Sequence, residues 1–268
     1  MKKDFGLVSI IMPTYNSARF IDETLKSVFA QTYTSWEIVV VDNGSTDDTL
    51  EKIKKYNDPR IRVFVNEVNK GQAYSRNRAI DEANGRFIAF LDSDDIWVPD
   101  KLQIQLEYMA ENNCLACYSN YIEIDEQGNE IGAMVSGPKK MTAKFYDRHY
   151  GYIGFLTSIY DCEKIGKVHS NPNILSACAD QALLYRVMER GGDFFLIKKV
   201  LSKYRIVSGS PSHSGKWRSL KYQFTYYKID RNKNSFVAWA NAFRKGIFYL
   251  FGKRLKYRKR YKGIWKEN

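Results

Sequence analysis

The order of apolar and polar residues along the first 125 positions alternates between two kinds of segment. Short runs rich in β-branched residues, such as Val8–Met12 and Trp36–Val41, have the length and composition of buried strands. Between them lie longer segments such as Arg19–Gln31, whose apolar residues recur every three or four positions, as in helices that cover a sheet. This alternation predicts an α/β fold with a mostly parallel sheet and helices on both faces.

The same pattern predicts further elements. The predicted strands are Val8–Met12, Trp36–Val41, Arg60–Val65, Phe87–Leu91 and Leu115–Asp125, and the predicted helices are Arg19–Gln31, Leu50–Tyr56, Ala73–Asn84 and Pro99–Asn112. Polar segments follow three of these strands, namely 14–16, 42–45 and 92–95. Ligands bind at the carboxyl ends of the strands in open α/β sheets, so we expect these three segments to line one site.

Three carboxylates, those of Asp92, Asp94 and Asp95, crowd together directly after a buried strand. Like charges at this spacing repel one another unless a cation lies among them. Mg²⁺ or Mn²⁺ would suit these oxygen ligands. The alternative is an aspartate-rich turn that caps the helix starting near Pro99. The first strand is followed by Pro-Thr-Tyr-Asn, and neither a dinucleotide-binding fingerprint nor a P-loop is present, which disfavours both classes of nucleotide-binding protein.

The positive charge of the chain is concentrated at its C-terminal end. The chain of 268 residues carries a net charge of +12, but the segment from Lys216 onward holds 16 Lys and Arg against 2 Asp and Glu, leaving 26 against 28 for the rest. The predicted domains are therefore 1–214 and a basic extension, 215–268. The four cysteines lack zinc-like spacing and are expected to be buried thiols. No signal or membrane-spanning stretch is evident, so we expect a cytosolic protein or one attached to a cytosolic face.

Four ordered motifs identify a resemblance to a known family. They lie at 8–16, 37–47, 69–77 (Asn69-Lys70-Gly71 with Arg76-Asn77) and 90–95. Together they resemble family 2 of the inverting glycosyltransferases of the bacterial surface-polysaccharide type, closely over residues 5–100 and more loosely to about 214. The resemblance implies a GT-A fold, with 1–100 binding a nucleotide-sugar and 101–214 binding the acceptor.

The resemblance also implies roles for individual residues. Asp42 would bind the base, commonly uracil; Asp94, with His213 as a further candidate, would hold Mn²⁺ or Mg²⁺ against the diphosphate. The other residues implied in nucleotide-sugar binding are Pro13, Tyr15, Asn16, Arg76, Asp92 and Ser93. Arg205, in the loop that would close over the donor, is a weaker candidate for contact with the diphosphate or the metal.

A general base is expected downstream, at Asp180, in the segment Ser176–Leu184. The family usually has Glu-Asp at this point, whereas here Ala179 precedes the aspartate. The alternative for Asp180 is the N-cap of a helix over Gln181–Arg190, and Asp161 and Glu163 are the fallback bases. A base on the side opposite to the leaving diphosphate would remove the proton of the acceptor hydroxyl and invert the sugar carbon.

The basic extension has its own pattern. Its apolar residues fall on one helical face, with Arg244 and Lys245 off it, and a Lys/Arg-rich run follows. The residues of that face are Phe236, Trp239, Ala240, Phe243, Ile247, Leu250 and Phe251. Such a helix suits anionic headgroups, so we expect residues 236–265 to bind the inner face of the cell membrane, near an acceptor that is a glycan or a polyprenyl-linked saccharide. The alternative is a helix whose apolar side packs on the catalytic domain.

Two other functions remain open from the sequence. A sugar-phosphate nucleotidyltransferase shares the sheet and the metal, but predicts a Gly-rich basic loop after the first strand. A nucleic-acid-binding module would use the Lys/Arg-rich extension with its Tyr and Trp residues. The second leaves the acidic cluster unexplained, because carboxylates repel phosphate, so we expect no nucleic-acid partner.

Overall fold

The computed structural model describes residues 3–148, 153–174, 176–208, 216–247 and 258–260. The strands are β1 Val8–Thr14, β2 Trp36–Asp42, β3 Ile61–Val65, β4 Phe87–Phe90, β5 Ile96–Trp97, β6 Ala116–Ile124, β7 Glu130–Val135, β8 Lys140–Met141, β9 Ile159–Asp161, β10 Phe194–Arg205 and β11 Arg258–Arg260. The helices are α1 Ile21–Phe29, α2 Thr49–Lys54, α3 Gln72–Asp81, α4 Lys101–Glu111, α5 Ala143–Arg148, α6 Cys162–Ile165, α7 Ser176–Glu189, α8 Lys216–Thr225 and α9 Ser235–Ile247. The predicted α/β fold is confirmed.

The sheet has a parallel half and a mixed half. Strands β3, β2, β1 and β4 are adjacent and parallel, in the register that aligns Thr14 of β1 with Asp42 of β2. Beyond β4 the strands β9, β6 and β7 are antiparallel to their neighbours, while β10 is parallel to β6. The parallel prediction thus holds for the first half, and hairpins and short strands make the second half mixed.

Alternate residues of the strands face opposite layers, because successive side chains in a strand point to opposite sides. One face of the sheet, with Ile10 of β1, packs against α1 and α4. The other face, with Ile11, packs against α3 and α7. The four cysteines are buried free thiols, as predicted.

The described part of the C-terminal segment packs against α3 and α7. Tyr226 and Tyr227, in a π-helical turn over Tyr226–Asp230, are buried with Ala238 of α9 against Ala179 of α7 and Ala73 of α3. Asp230 forms an ion pair with Arg186 of α7 at 2.5 Å. The division at residues 214 and 215 stays a prediction, but the two sides of it share a core.

Helix α9 packs through the face opposite to the predicted apolar one. Ala238, Ala242 and Lys245 are buried, whereas Phe236 and Phe243 are exposed. The alternative in which the apolar side packs on the domain is therefore wrong for this helix. Among the described residues, no helix has the length and hydropathy needed to span a bilayer.

Candidate active site

The loops that follow β1, β2 and β4 are joined by hydrogen bonds at the carboxyl edge of the sheet. The amide of Asn16 donates to Ser45 Oγ at 2.9 Å, and Ser17 Oγ lies 2.6 Å from Ser93 Oγ. The Ser17 amide also donates to Thr49 Oγ1 at 2.8 Å, at the start of α2. The three polar segments that the sequence assigns to one site therefore do meet there.

Asp42 is fully buried at the end of β2, with its carboxylate fixed by the next turn. Oδ1 accepts a hydrogen bond from Ser45 Oγ at 2.5 Å, and Oδ2 accepts from the Ser45 and Gly44 amides at 2.9 and 3.2 Å. Gly44 has φ of +78°, a conformation that favours glycine. The turn thus orients a carboxylate at the edge where a ligand would enter.

An amide network holds the loop between β3 and α3 against this turn. Asn43 donates from Nδ2 to Asn69 Oδ1 at 2.7 Å, and its Oδ1 accepts from the Lys70 amide at 2.9 Å. Asn66 then links Asn43 to Ser75 on α3, at 3.1 and 3.0 Å. The network fixes the start of α3, the helix that carries Arg76.

Arg76 joins the two halves of the candidate site. Its side chain has no exposed surface and donates to Asp92 Oδ1 at 2.9 Å and to Asp180 Oδ1 at 2.5 Å. The guanidinium carbon lies 4.3 Å from the centre of the Phe155 ring, and Nε has no partner among the described residues. Two carboxylates from distant parts of the chain are thereby held on adjacent nitrogens of one cation.

Asp180 is the fifth residue of α7 and lies inside the helix. The N-cap alternative is therefore wrong, because the helix begins at Ser176 and the carboxylate pairs with Arg76. Burial raises the pKa of Asp180 to about 6; Arg76 opposes the rise, and the charge of Asp92 adds to it. The side chain keeps 37% of its surface exposed, so the carboxylate is accessible from the cleft. Such a group can accept a proton near neutral pH.

The three carboxylates of the turn after β4 have different surroundings. Asp95 is buried, and its Oδ1 accepts a hydrogen bond from the Arg205 amide at 2.9 Å. Asp92 binds Arg76, and Asp94 is half-buried beside it. Burial, together with the charge of Asp92, raises the pKa of Asp94 to about 6. Of the three, only Asp94 has a carboxylate without an ion pair or a hydrogen bond to another residue within the described part of the chain, which fits a metal ligand.

The protein side chains alone do not enclose a metal ion at this site. Within the described residues no three His, Cys, Asp or Glu side chains are grouped closely enough to hold one. Mg²⁺ and Mn²⁺ sites of nucleotide enzymes commonly use one or two protein carboxylates and take their remaining ligands from phosphate and water. Asp94 with Asp92 beside it fits that kind of site. His213, the other predicted ligand, lies outside the described residues.

Arg205 holds the turn that carries Asp94. Its Nε donates to the Asp94 carbonyl at 2.8 Å and one terminal nitrogen to Glu23 Oε2 at 2.5 Å. The other terminal nitrogen donates to the two carbonyls of the turn between β6 and β7, at 3.2 and 3.3 Å. All three guanidinium nitrogens bind protein atoms, so this side chain stabilises the turn and does not face a diphosphate here.

The remaining predicted residues have distinct positions. Pro13 is buried in β1. The Leu91 amide donates to the Ile11 carbonyl, so the backbone groups of Ile11, and of Pro13 two residues later, point toward β4. Pro13 lies just beyond the last residue of β4, where the strand needs no backbone N–H donor. Tyr15 is exposed beside it.

The two fallback bases lie away from the candidate site. Asp161 pairs with Phe87, at the amino end of β4, so Asp161 and Glu163 lie at the opposite edge of the sheet. Both fallback bases are bound to Arg86, which leaves Asp180 as the candidate.

Several residues of the site are not evident from the sequence. Phe155 stacks on Arg76, and Ser17 and Thr49 join the loops. Gln72 Nε2 lies 3.4 Å from Asp92 Oδ1. None is among the residues that define the four motifs, although Gln72 lies between those of the third, and each lies far along the chain from most of its partners. The Asn69-Lys70-Gly71 motif was the one sequence signal for the loop that Asn43 fixes.

The chemistry available at this edge is limited to a few reactions. A buried carboxylate and an amide-rich loop lie at the ends of β2 and β3, two acidic groups follow β4, and an accessible carboxylate faces them from α7. This arrangement can bind a nucleotide through its base and a metal-bound diphosphate, and can deprotonate a hydroxyl.

Comparison with known proteins identifies relatives along most of the chain. The family model described as glycosyl transferase family 2 matches residues 9–166. TuaG of Bacillus subtilis (strain 168), named as a glycosyltransferase of teichuronic acid biosynthesis, is 37% identical over 84% of this chain and 89% of its own length. The Escherichia coli β-1,3-glucosyltransferase WfgD, named for transfer from UDP-Glc to α-D-GlcNAc-diphosphoundecaprenol, is 45% identical over 59% of this chain and 61% of its own length.

Solved structures share the fold of this chain. Residues 1–349 of TarS from S. aureus, crystallised with UDP, align with a TM-score of 0.66 at 20% identity, over 93% of this chain and 73% of that one. The mannosyltransferase PcManGT from Pyrobaculum calidifontis, solved with GDP-Man and Mn²⁺, aligns with a TM-score of 0.63 at 18% identity, over 92% and 71%. The structures establish the GT-A fold, and the family model and TuaG establish that this chain belongs to glycosyl transferase family 2.

Proposed function

We propose that the protein is an inverting glycosyltransferase of cell-surface polysaccharide synthesis. It would move a sugar from a nucleoside-diphosphate sugar, with UDP as the expected carrier, to a hydroxyl of a glycan or a polyprenyl-linked saccharide. The observation that carries the proposal is the double ion pair of Arg76 with Asp92 and Asp180. It places a candidate base next to the turn after β4, which would hold the donor.

The donor is held by groups on the parallel half of the sheet. Asp42 and Tyr15 would bind the base and ribose, and the preformed turn at Ser45 keeps the Asp42 carboxylate in place without reorganisation. The UDP in the TarS crystal and the UDP-Glc in the name of WfgD support uridine as the base. A Mn²⁺ or Mg²⁺ at Asp94, as supported by the Mn²⁺ of PcManGT, would neutralise charge on the departing diphosphate.

Asp180 performs the proton transfer. Its ionised carboxylate accepts the proton of the acceptor hydroxyl while the oxygen attacks the sugar carbon from the side opposite to the diphosphate. One such displacement inverts the configuration of that carbon. Arg76 favours the ionised form of Asp180 and orients its carboxylate.

The place of action follows from the expected acceptor. WfgD is named for a diphosphoundecaprenol acceptor, which is a membrane lipid. We propose that this enzyme likewise works in the cytoplasm, peripherally on the inner face of the cell membrane, with a saccharide on such a lipid as acceptor.

A calorimetric screen of nucleotide-sugars with Mn²⁺, followed by a transfer assay, tests the proposal. One UDP-sugar should bind only with the metal and should yield a product of inverted anomeric configuration. Retention of configuration would contradict the single displacement. Release of pyrophosphate from a nucleoside triphosphate and a sugar phosphate would instead assign a nucleotidyltransferase.

A further inference from the structure

Helix α9 presents an apolar stripe to solvent. Phe236, Trp239, Phe243 and Ile247 follow one another at spacings of three or four residues and are 84%, 38%, 51% and 57% exposed. This spacing places all four on one side of the helix. Trp239 stacks on Phe224 of α8, with ring centres 4.5 Å apart, which gives the stripe a rigid base.

The opposite side of α9 is anchored to the domain. Ala238 and Ala242 are buried, and Lys245 Nζ lies 5.4 to 5.7 Å from the ring centres of Tyr146, Tyr226 and Tyr227. The stripe is therefore turned outward by the packing of its own helix, not left exposed by a lack of structure around it.

The charged side chains that residues 220–247 expose are cationic. Lys221 of α8, Lys228 of the π-helical turn and Lys233 of the loop before α9 are exposed. Asp230, the one acidic residue of the sequence between 216 and 247, is 1% exposed and paired with Arg186. Seven of the ten residues from 253 to 262 are Lys or Arg. An aromatic stripe on a segment whose exposed charged side chains are cationic complements an interface of apolar chains and negative headgroups.

We infer that the α9 stripe, Phe236, Trp239, Phe243 and Ile247, is the surface through which this protein enters the headgroup region of an anionic lipid bilayer. A second copy of the chain suits the stripe less well. A helix of 13 residues is about 20 Å long, and a stripe about 10 Å wide on it offers on the order of 200 Å², against roughly 800 Å² per partner in a stable dimer.

The stripe also fixes where the active site lies relative to the bilayer. The inner side of α9 shares a core with Cys178, Ala179 and Ala182 of α7, on either side of Asp180. Asp180 therefore lies on a helix that shares its core with the helix whose outer side would meet the lipid. The inference rests on the proposed function in this step alone, since it brings Asp180 within reach of a lipid-linked acceptor.

Vesicle flotation of the full chain tests the surface. The wild type should bind vesicles of phosphatidylcholine with about 30 mol % phosphatidylglycerol at about 150 mM salt, and bind pure phosphatidylcholine much less. The double variant Phe236→Ser/Ile247→Ser should bind the anionic vesicles at least tenfold less. The control Val65→Ser/Ile131→Ser removes two apolar side chains that are 48% and 47% exposed on other elements, and should bind like the wild type.

Three outcomes would overturn the inference. These are unchanged binding by the stripe variant, equal binding of the wild type to neutral and anionic vesicles, and a dimer in solution that the two stripe substitutions dissociate. Thermal unfolding of each variant checks that the fold is intact. Nucleotide-sugar binding by calorimetry should be the same for the wild type and the stripe variant. If no nucleotide-sugar binds either protein, the proposed function fails while the vesicle result stands.

Discussion

The Arg76 side chain has two roles: it connects elements of the fold, and it binds the candidate base. It is buried, and its two ion pairs connect α3 to the turn after β4 and to α7. Removing one member of a buried pair leaves an uncompensated charge, which typically costs about 3–5 kcal/mol. The partners must therefore be probed by substitutions that keep their size.

Asp180→Asn is the sharpest of these substitutions. We expect the variant to bind the nucleotide-sugar with nearly unchanged affinity, because the amide can still accept a hydrogen bond from Arg76. Turnover should fall by about 10²–10⁴, the usual contribution of a general base. Calorimetry and a product assay on the same preparation measure the two quantities. Turnover within a few-fold of the wild type would reassign the base.

The acid limb of the pH profile should report the same group. Asp180 must be ionised to accept a proton, and its pKa is raised to about 6 by burial. At saturating donor and Mn²⁺ we expect kcat to be level above pH 7 and to fall about tenfold per unit well below pH 6. A profile that stays flat down to pH 5 would show that no group with this pKa limits the rate.

Asp94→Ala tests the metal. The variant should lose the Mn²⁺-dependent part of nucleotide-sugar binding, because the other two carboxylates of this turn are engaged: Asp92 binds Arg76 and Asp95 holds β10. The measurement is a titration of donor with and without EDTA. Ser93→Ala is not a suitable control, since it also lies in the site; Asp58→Ala, at a distant surface turn, should bind like the wild type. Tight, EDTA-insensitive binding by Asp94→Ala would contradict the role.

Among the elements, the junction between β1 and β4 leaves no room for an added side chain. Gly85 precedes β4, and a Cβ added there would lie 2.6 Å from the Ser9 amide nitrogen and 2.7 Å from the Leu7 carbonyl oxygen. Gly191 has φ of +91° but open space around it. Gly85 is therefore required because a side chain would clash there, whereas Gly191 is favoured only by its backbone conformation.

Gly85→Ala should therefore destabilise the protein more than Gly191→Ala. We expect a loss of about 3 kcal/mol or more for the first, because backbone atoms cannot move aside as a side chain can, and about 1–2 kcal/mol for the second. Urea unfolding of both variants gives the comparison. Equal losses would mean that the β1–β4 junction relaxes to accept the methyl group.

The elements also show how far the sequence determines the structure. The predicted bounds of strands β1 to β4 agree with the structure to within two residues, because their runs of apolar residues are bounded by polar residues, Gly or Pro. Strands β5, β8 and β9 have only two or three residues, too few to show a period. The start of α7 at Ser176 was missed because Ala179 and its small neighbours pack against a helix almost 60 residues later.

For helix α9 and the candidate site, the sequence likewise predicts local features but not which distant residues come into contact. The period of α9 identified its apolar face, but the sequence does not say which face is buried; Ala238, Ala242 and Lys245 pack because they fit the tyrosines. Motifs located Asp42, Asp92 and Asp94, whereas the ion pair between Arg76 and Asp180 spans 104 positions and has no local signal.

At the scale of the whole molecule, the C-terminal segment supports the active site. Its tyrosines and Ala238 bury the side of α7 that lies next to Asp180. We expect truncation after residue 214 to lower the unfolding temperature strongly and to expose apolar surface on α7. Truncation after Ile247 should have a much smaller effect, since among the described residues it removes only the three pairs of β11 with β7.

Scanning calorimetry of the two truncated proteins measures this difference. An unchanged unfolding temperature after the longer truncation would mean that the segment is an independent appendage. A large drop after the shorter truncation would place the stabilising contacts beyond α9.

The core shared by α7, α9 and the π-helical turn also bears on how enzymes of this kind can be recombined. A chimera that takes its donor-binding half from one relative and its last fifty residues from another would cut through the layer behind the catalytic aspartate. A chimera made to change the acceptor or the membrane attachment by replacing the C-terminal segment should therefore also replace the α7 residues that pack against that segment.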